Sequence, residues 1–219
     1  MTDYEGQPFC TAHIEAVGAN YKWPHKNISW AVTADLPGMA RDSFRRAVAE
    51  AFRRWAAVCG VVPHEANEGE VCNIVIGVQT ERPGNVLADC ELPVNLPATG
   101  RVRMRVDTVE TWCISDNPPR DRIDLVRVLC HELGHGLGFS HGPSGCLMAP
   151  TYSMAIRAPQ AWDIVEARSR YGDPRPVSPP QPQPEPSPPT EGDIELCKIL
   201  SRGGRMFARS VRNGTEIEL

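Results

Sequence analysis

The sequence predicts an α/β (α+β) domain with a differently built appendix, and three observations carry that prediction. Segments with the two-residue period of half-buried strands alternate with segments spaced three and four residues apart, the mark of amphipathic helices, and there is no internal repeat. Hydrophobic residues make up 41% of the 219, enough to bury a core and to exclude wholesale disorder. Composition then changes sharply after Tyr171-Gly172: from Asp173 to Thr190, nine of 18 residues are proline. The domain proper is therefore placed at about residues 8–172, a Pro-rich linker at 173–190 and a short C-terminal tail at 191–219. Lys+Arg 23 against Asp+Glu 27 gives a formal charge of −4, which argues against a general nucleic-acid binder. No stretch approaches the roughly 20 apolar residues of a membrane span.

Taken in order, Ile28-Ser29-Trp30-Ala31-Val32 is rich in β-branched and aromatic residues and reads as a strand. Phe44, Val48, Phe52 and Trp55 then mark one face of a helix from about Ala40 to Val58, with Arg41, Arg45, Arg46, Arg53 and Arg54 largely off that stripe. Cys72 to Val78 reads as a buried strand. Val102, Met104 and Val106 alternate with Arg101, Arg103 and Arg105, a strand whose arginine face meets solvent or, as a second reading, an acidic ligand. A second helix, about Asp121 to Leu137, buries Val126, Leu129, Leu133 and Leu137. The proline stretch suits a semi-rigid polyproline spacer, with a docking ligand for a partner as the alternative. The tail's 29 residues are too few for a sizeable core, so it reads as an appendage able to dock a protein partner. Eight cysteines, at 10, 59, 72, 90, 113, 130, 146 and 197, leave disulfides and buried reduced thiols both open.

The second helix carries the chemistry, in His131-Glu132-Leu133-Gly134-His135 followed by Gly138 and His141. Residues four apart on a helix stand one turn above each other, so His131 and His135 can aim ring nitrogens at one point. Glu132, one residue round the helix, can reach a water at the metal without ligating the metal. Gly138 lets the chain turn sharply and return His141 as third ligand. Three neutral imidazoles with one open position suit a single catalytic zinc, because structural zinc sites are normally closed by a fourth protein ligand. Met148 follows in Cys146-Leu147-Met148-Ala149-Pro150; alone it would pass for a core methionine.

Together these residues resemble the zinc helix, third histidine and Met-turn of the metzincins, and more narrowly the matrixins, the matrix-metalloprotease-like branch. Ile28 to Val78 resembles that family's first strand, long helix and third strand. Gly100 to Trp112, with Asp107 and Glu110, resembles its Gly-to-Trp segment, and Ala161 to Gly172 its C-terminal helix. The resemblance implies a twisted mixed sheet with a long backing helix and an active-site helix, and a small C-terminal subdomain after the third histidine. It implies a zinc-dependent metalloendopeptidase with Glu132 as general base and His131, His135 and His141 as ligands. Substrate protein would lie extended along an edge strand at Val86 to Cys90, with a pocket walled by Pro150, Thr151 and Tyr152 taking the side chain after the cut. It also implies a secreted, extracellular setting, although Met1 to Cys10 contains Asp3 and Glu5 and no signal peptide is visible.

Departures from the family are informative. Asp89 and Arg105 stand where animal matrixins place histidines for a second, structural zinc, so that ion is not expected. Asp107 and Glu110 keep the look of calcium ligands, with surface acids at a strand end as the plain alternative. No Pro-Arg-Cys-Gly latency segment occurs. Two rivals to the peptidase remain: an inactive matrixin-like zinc-binding adhesion or interaction module, against which Glu132 speaks, and an exopeptidase-type zinc hydrolase, for which no patch binding a substrate terminus is visible.

Overall fold

Ile28, Ser29, Trp30 and Val32 are all buried in the first strand, β1 (Asn27–Val32), of the computed structural model of the chain, which describes residues 21–80, 86–175, 197–202, 205–210 and 216–218. The expected residues 8–20 of the domain, most of the Pro-rich linker and the first residues of the tail lie outside that set, as does Cys10. Chain contacts divide the molecule into two units, 1–175 and 176–219.

In the first unit the sheet contains β1, β2 (Val62–Glu65), β3 (Ile74–Gln79), β4 (Ala88–Cys90) and β5 (Val102–Asp107) in the order β2-β1-β3-β5-β4. All neighbours are parallel except β4, which runs antiparallel to β5 with Asp89 opposite Arg105. Parallel neighbours need long crossovers. Helix α1 (Arg41–Ala56) supplies the one between β1 and β2. Its inward stripe is Phe44, Ala47, Val48, Ala51, Phe52 and Trp55, with Asp42 in the first turn and Arg53 and Arg54 in the last, where the helix dipole favours each sign.

The period-two reading of β5 holds at its apolar positions, with Val102, Met104 and Val106 buried. Its arginine face is more engaged than a solvated row. Arg105 Nε and Nη2 donate to the two Asp89 carboxylate oxygens at 3.1 and 2.7 Å, and Arg101 Nε donates to the Cys72 carbonyl.

Helix α2 (Leu125–Gly136) begins four residues later than the expected Asp121. Residues Ile123–Asp124 instead form a short strand, β7, paired in parallel with β6 (Trp112–Cys113), and that pairing draws the backbone out before the helix starts. The Trp55 indole N–H donates to the Cys130 carbonyl at 2.8 Å and its ring lies 4.9 Å from that of Phe139, which fixes α1 against α2. Helix α3 (Ala161–Tyr171) closes the unit. All six cysteines described in this unit carry unpaired thiols, five of them buried, so there they act as small apolar side chains.

The second unit was expected as a plain tail. It contains an antiparallel sheet of β8 (Cys197–Arg202), β9 (Arg205–Ser210) and β10 (Glu216–Glu218), in the order β10-β9-β8. The sequence signal for it was the Gly203-Gly204 pair between two short runs, a hairpin signature that composition alone hides.

Candidate metal and catalytic site

Helix α2 is buried along its whole length, and its apolar faces pack under β4 and β5 and against α1. That burial fixes the helix and hence the two histidines it carries. His131 and His135 are 0% exposed, with ring centroids 4.9 Å apart and the rings near-perpendicular. His141 arrives from beyond the helix, its ring 5.5 Å from His131 and 4.8 Å from His135. One ligand atom from each of the three lies within 4.8 Å of the others. Among the described residues this is the one group of His, Cys, Asp and Glu gathered closely enough to hold an ion.

The turn that delivers His141 is built on Gly138, at φ 98°, and a Cβ there would overlap the Tyr21 carbonyl oxygen. Only glycine meets both demands. Tyr21 is held in place from α3: Arg170 Nη1 donates to the carbonyls of Tyr21 and Gly138. The Tyr171 hydroxyl donates to the Leu137 carbonyl at 2.6 Å and accepts the Trp23 N–H at 3.3 Å, while the Trp23 indole donates to the Gly136 carbonyl at 2.8 Å. The end of α2 is thus clamped by the first described residues and by the last turn of α3.

Hydrogen bonds also set the histidine tautomers. His131 Nδ1 faces the Leu147 carbonyl at 2.8 Å and His135 Nδ1 faces the Phe139 carbonyl at 2.7 Å. A carbonyl only accepts, so both Nδ1 atoms carry the proton and both Nε2 atoms present lone pairs. Those two Nε2 atoms lie 3.2 Å apart. A hydrogen bond between them would require a protonated, cationic ring in a fully buried place; a shared metal cation resolves the contact directly. The donor set therefore fits zinc, which takes neutral imidazoles.

Glu132 is 0% exposed beside this cluster. Its charge is felt by Cys90 on the edge strand β4, whose thiol is pushed well above its ordinary range by burial first and by the Glu132 carboxylate second. The Cys90 sulfur also lies 3.1 Å from where a Cβ on Gly136 would stand, so β4 runs directly along α2 at this carboxylate. Met148 packs against α2 at Gly134, which lies between the two helical histidines in sequence: a Cβ on Gly134 would overlap its sulfur, so glycine is what allows the approach.

One residue essential to this geometry carried no role in the sequence reading. Asp163, in the first turn of α3 and 0% exposed, accepts the N–H of Leu147 at 2.7 Å, of Met148 at 3.1 Å and of Gln160 at 2.7 Å. It thereby fixes the segment whose Leu147 carbonyl orients His131. The available signal was its place three residues after Gln160, a capping-box spacing. Asp124 and Arg157 form a second tie: Arg157 Nε donates to the Asp124 carboxylate at 2.7 Å, fastening the stretch after Tyr152 to the start of α2. Asp107, by contrast, is buried and its Oδ1 accepts the Val109 N–H at 2.8 Å, a strand-end turn.

Comparison with known proteins points the same way. The sequence model of the matrixin family matches residues 22–171. Stromelysin-3 of Xenopus laevis is 30% identical over 171 residues, covering 72% of this chain and 34% of that protein. Matrix metalloproteinase-16 of Rattus norvegicus is 29% identical over 179 residues, covering 73% and 29%. Interstitial collagenase of Sus scrofa is 29% identical over 159 residues, covering 67% and 32%. The chain thus spans about a third of the length of these relatives.

Proposed function

The chain belongs to the matrixin family of zinc metalloendopeptidases, and on that premise we propose that it hydrolyses internal peptide bonds of proteins with one zinc held by His131, His135 and His141 and with Glu132 as general base. The observation that carries this reading is the convergence of the three imidazoles, two with Nδ1–H bound to carbonyls, around one point beside a fully buried glutamate. Zinc at that point would lower the pKa of a coordinated water toward ~7 and polarise the scissile carbonyl.

The chain's own groups perform the remaining work. Glu132 takes the proton of the attacking water and passes it to the leaving amine. The hydrogen bonds from His131 and His135 to Leu147 and Phe139 hold the rings in the ligating tautomer throughout. Substrate lies along β4, the free edge of the sheet beyond β5, where an extended peptide can add as a further strand. Pro150, Thr151 and Tyr152 wall the pocket that receives the side chain after the cut. Residues 8–172 form the catalytic domain, 173–190 a spacer, and 191–219 a module that docks a protein partner. The enzyme works outside the cell, the setting that membership of the matrixin family suggests.

Three measurements test the reading. Elemental analysis of the full chain should find one zinc, and denatured casein should be cleaved without but not with a chelator. Glu132→Gln should keep the zinc and lose nearly all cleavage, since it removes the base and spares the ligands. A fully active variant would sink the mechanism.

A further inference from the structure

One buried charge near the metal triad has no part in the chemistry above. Arg127 is 0% exposed and stands four residues before His131 on α2, so the two share a helix face one turn apart. Its Nη1 donates to the Tyr152 hydroxyl at 3.1 Å, and its guanidinium carbon lies 5.2 Å from the centre of the Tyr152 ring. Among the described residues, Nε and Nη2 have no hydrogen-bond partner. The nearest acid along the helix, Asp124, lies close enough for the Arg127 charge to favour its ionised form, but its carboxylate oxygens accept from Arg157 Nε at 2.7 Å and from the Ser115 N–H at 3.5 Å, and neither Arg127 Nε nor Nη2 bonds to it.

The two unfilled donors are adjacent. Nε–H and Nη2–H form one edge of the planar guanidinium and point the same way, at the spacing of two carboxylate oxygens. This chain uses that edge repeatedly: Arg45 grips Glu65, Arg53 grips Glu50 and Arg105 grips Asp89, each through Nε and Nη2 to both carboxylate oxygens. In Arg127 the same edge is left open in a place where an unfilled charged donor is costly. Tyr152, which holds the third nitrogen, belongs to the wall of the substrate pocket. A buried fork held by one end and vacant at the other is an incomplete anion site.

We propose that Arg127 and Tyr152 form a carboxylate-binding subsite beside the metal triad, and that the chain selects substrates with Glu or Asp as the residue following the cleaved bond. The proposal rests on the peptidase reading for what the pocket receives.

The test uses the full, zinc-loaded chain and three dipeptides capped with a metal-chelating hydroxamate, identical except that the side chain next to the cap is Glu, Gln or Leu. Calorimetry should find the Glu ligand bound at least about tenfold more tightly than its Gln counterpart, the size of effect expected when one charge-assisted pair replaces a neutral one. In Arg127→Leu that ratio should fall to near unity, and in Arg127→Lys, which keeps the charge but not the fork, it should shrink. Equal binding of Glu and Gln by the unaltered chain overturns the subsite, whatever the variants' stability. So does failure of all three to bind, or a Glu preference that survives in folded Arg127→Leu. Casein cleavage by the same preparation separates the two readings. Cleavage without a Glu preference removes the subsite alone; a Glu preference without cleavage removes the peptidase reading alone.

Discussion

Replacing Asp163 with Ala should damage both stability and metal binding, although the residue lies well along the chain from every histidine. Its carboxylate accepts three backbone N–H groups, from Leu147, Met148 and Gln160, at 2.7, 3.1 and 2.7 Å, and is 0% exposed. A hydrogen bond to a charged group contributes about 1.5–3 kcal/mol, and each buried donor left unfilled costs about 1–3 kcal/mol. Three such bonds on one carboxylate are not additive, so we expect a loss of about 3–5 kcal/mol, a large part of a typical domain's stability. Asp163→Asn keeps the shape but turns one acceptor into a donor facing an N–H, and should cost about half as much. The metal effect runs through Leu147, whose carbonyl accepts from His131 Nδ1 at 2.8 Å. Loosening a partner that orients a metal ligand typically weakens metal binding by about 10–100-fold. Urea unfolding followed by tryptophan fluorescence reads the first quantity and competition with a zinc chelator the second. If Asp163→Ala unfolds within about 1 kcal/mol of the parent and holds zinc within about twofold, the turn at Met148 is fixed by side-chain packing and the carboxylate argument fails.

Gly138→Ala forces a side chain onto a φ of 98° and into the Tyr21 carbonyl; zinc content after dialysis should drop because His141 is displaced, while retention of a full equivalent would contradict the role of the turn. Tyr171→Phe leaves the Leu137 carbonyl and Trp23 N–H without their partner and should cost about 1–3 kcal/mol in urea unfolding. Burial raises the Tyr171 phenol above its ordinary 10, so its contribution is present below pH 10 and is lost as pH rises beyond it; the Phe variant should show a shallower alkaline fall in stability. The Glu50 carboxyl is lowered from 4.5 to about 2, chiefly by its hydrogen bond from Arg53. That contribution is complete above pH 4.5 and lost as pH falls toward 2. Solvent screening limits it to about 1 kcal/mol or less, and Glu50→Gln should flatten the acid limb of a pH–stability curve by that amount.

Much of the fold was legible because its signals are local. The stripe Phe44, Val48, Phe52, Trp55 states a helix within sixteen residues, and Val102, Met104, Val106 states a strand within six. The gathering of His131, His135 and His141 was legible for the same reason, since one helical turn and one glycine bend relate all three. The start of α2 was misplaced because what decides it is the pairing of Ile123–Asp124 with Trp112–Cys113, a contact that composition around residue 121 does not encode. The tail's strands escaped because short polar-apolar runs rich in arginine read as surface. Deeper in the site, the unseen part is a set of carbonyls and donors brought together from distant segments. His131 depends on Leu147, Leu147 on Asp163, and the turn to His141 on Tyr21 and Arg170. A helix motif specifies which atoms can ligate, because side-chain spacing fixes it. The carbonyls that choose the tautomers are Phe139, four residues beyond His135, and Leu147, 16 residues beyond His131, and the second is fixed by the Asp163 carboxylate from a further 16 residues on. Metal affinity should therefore be more sensitive to changes in α3 than to surface changes in α2's neighbour α1, because α3 holds the acceptor that holds the ligand.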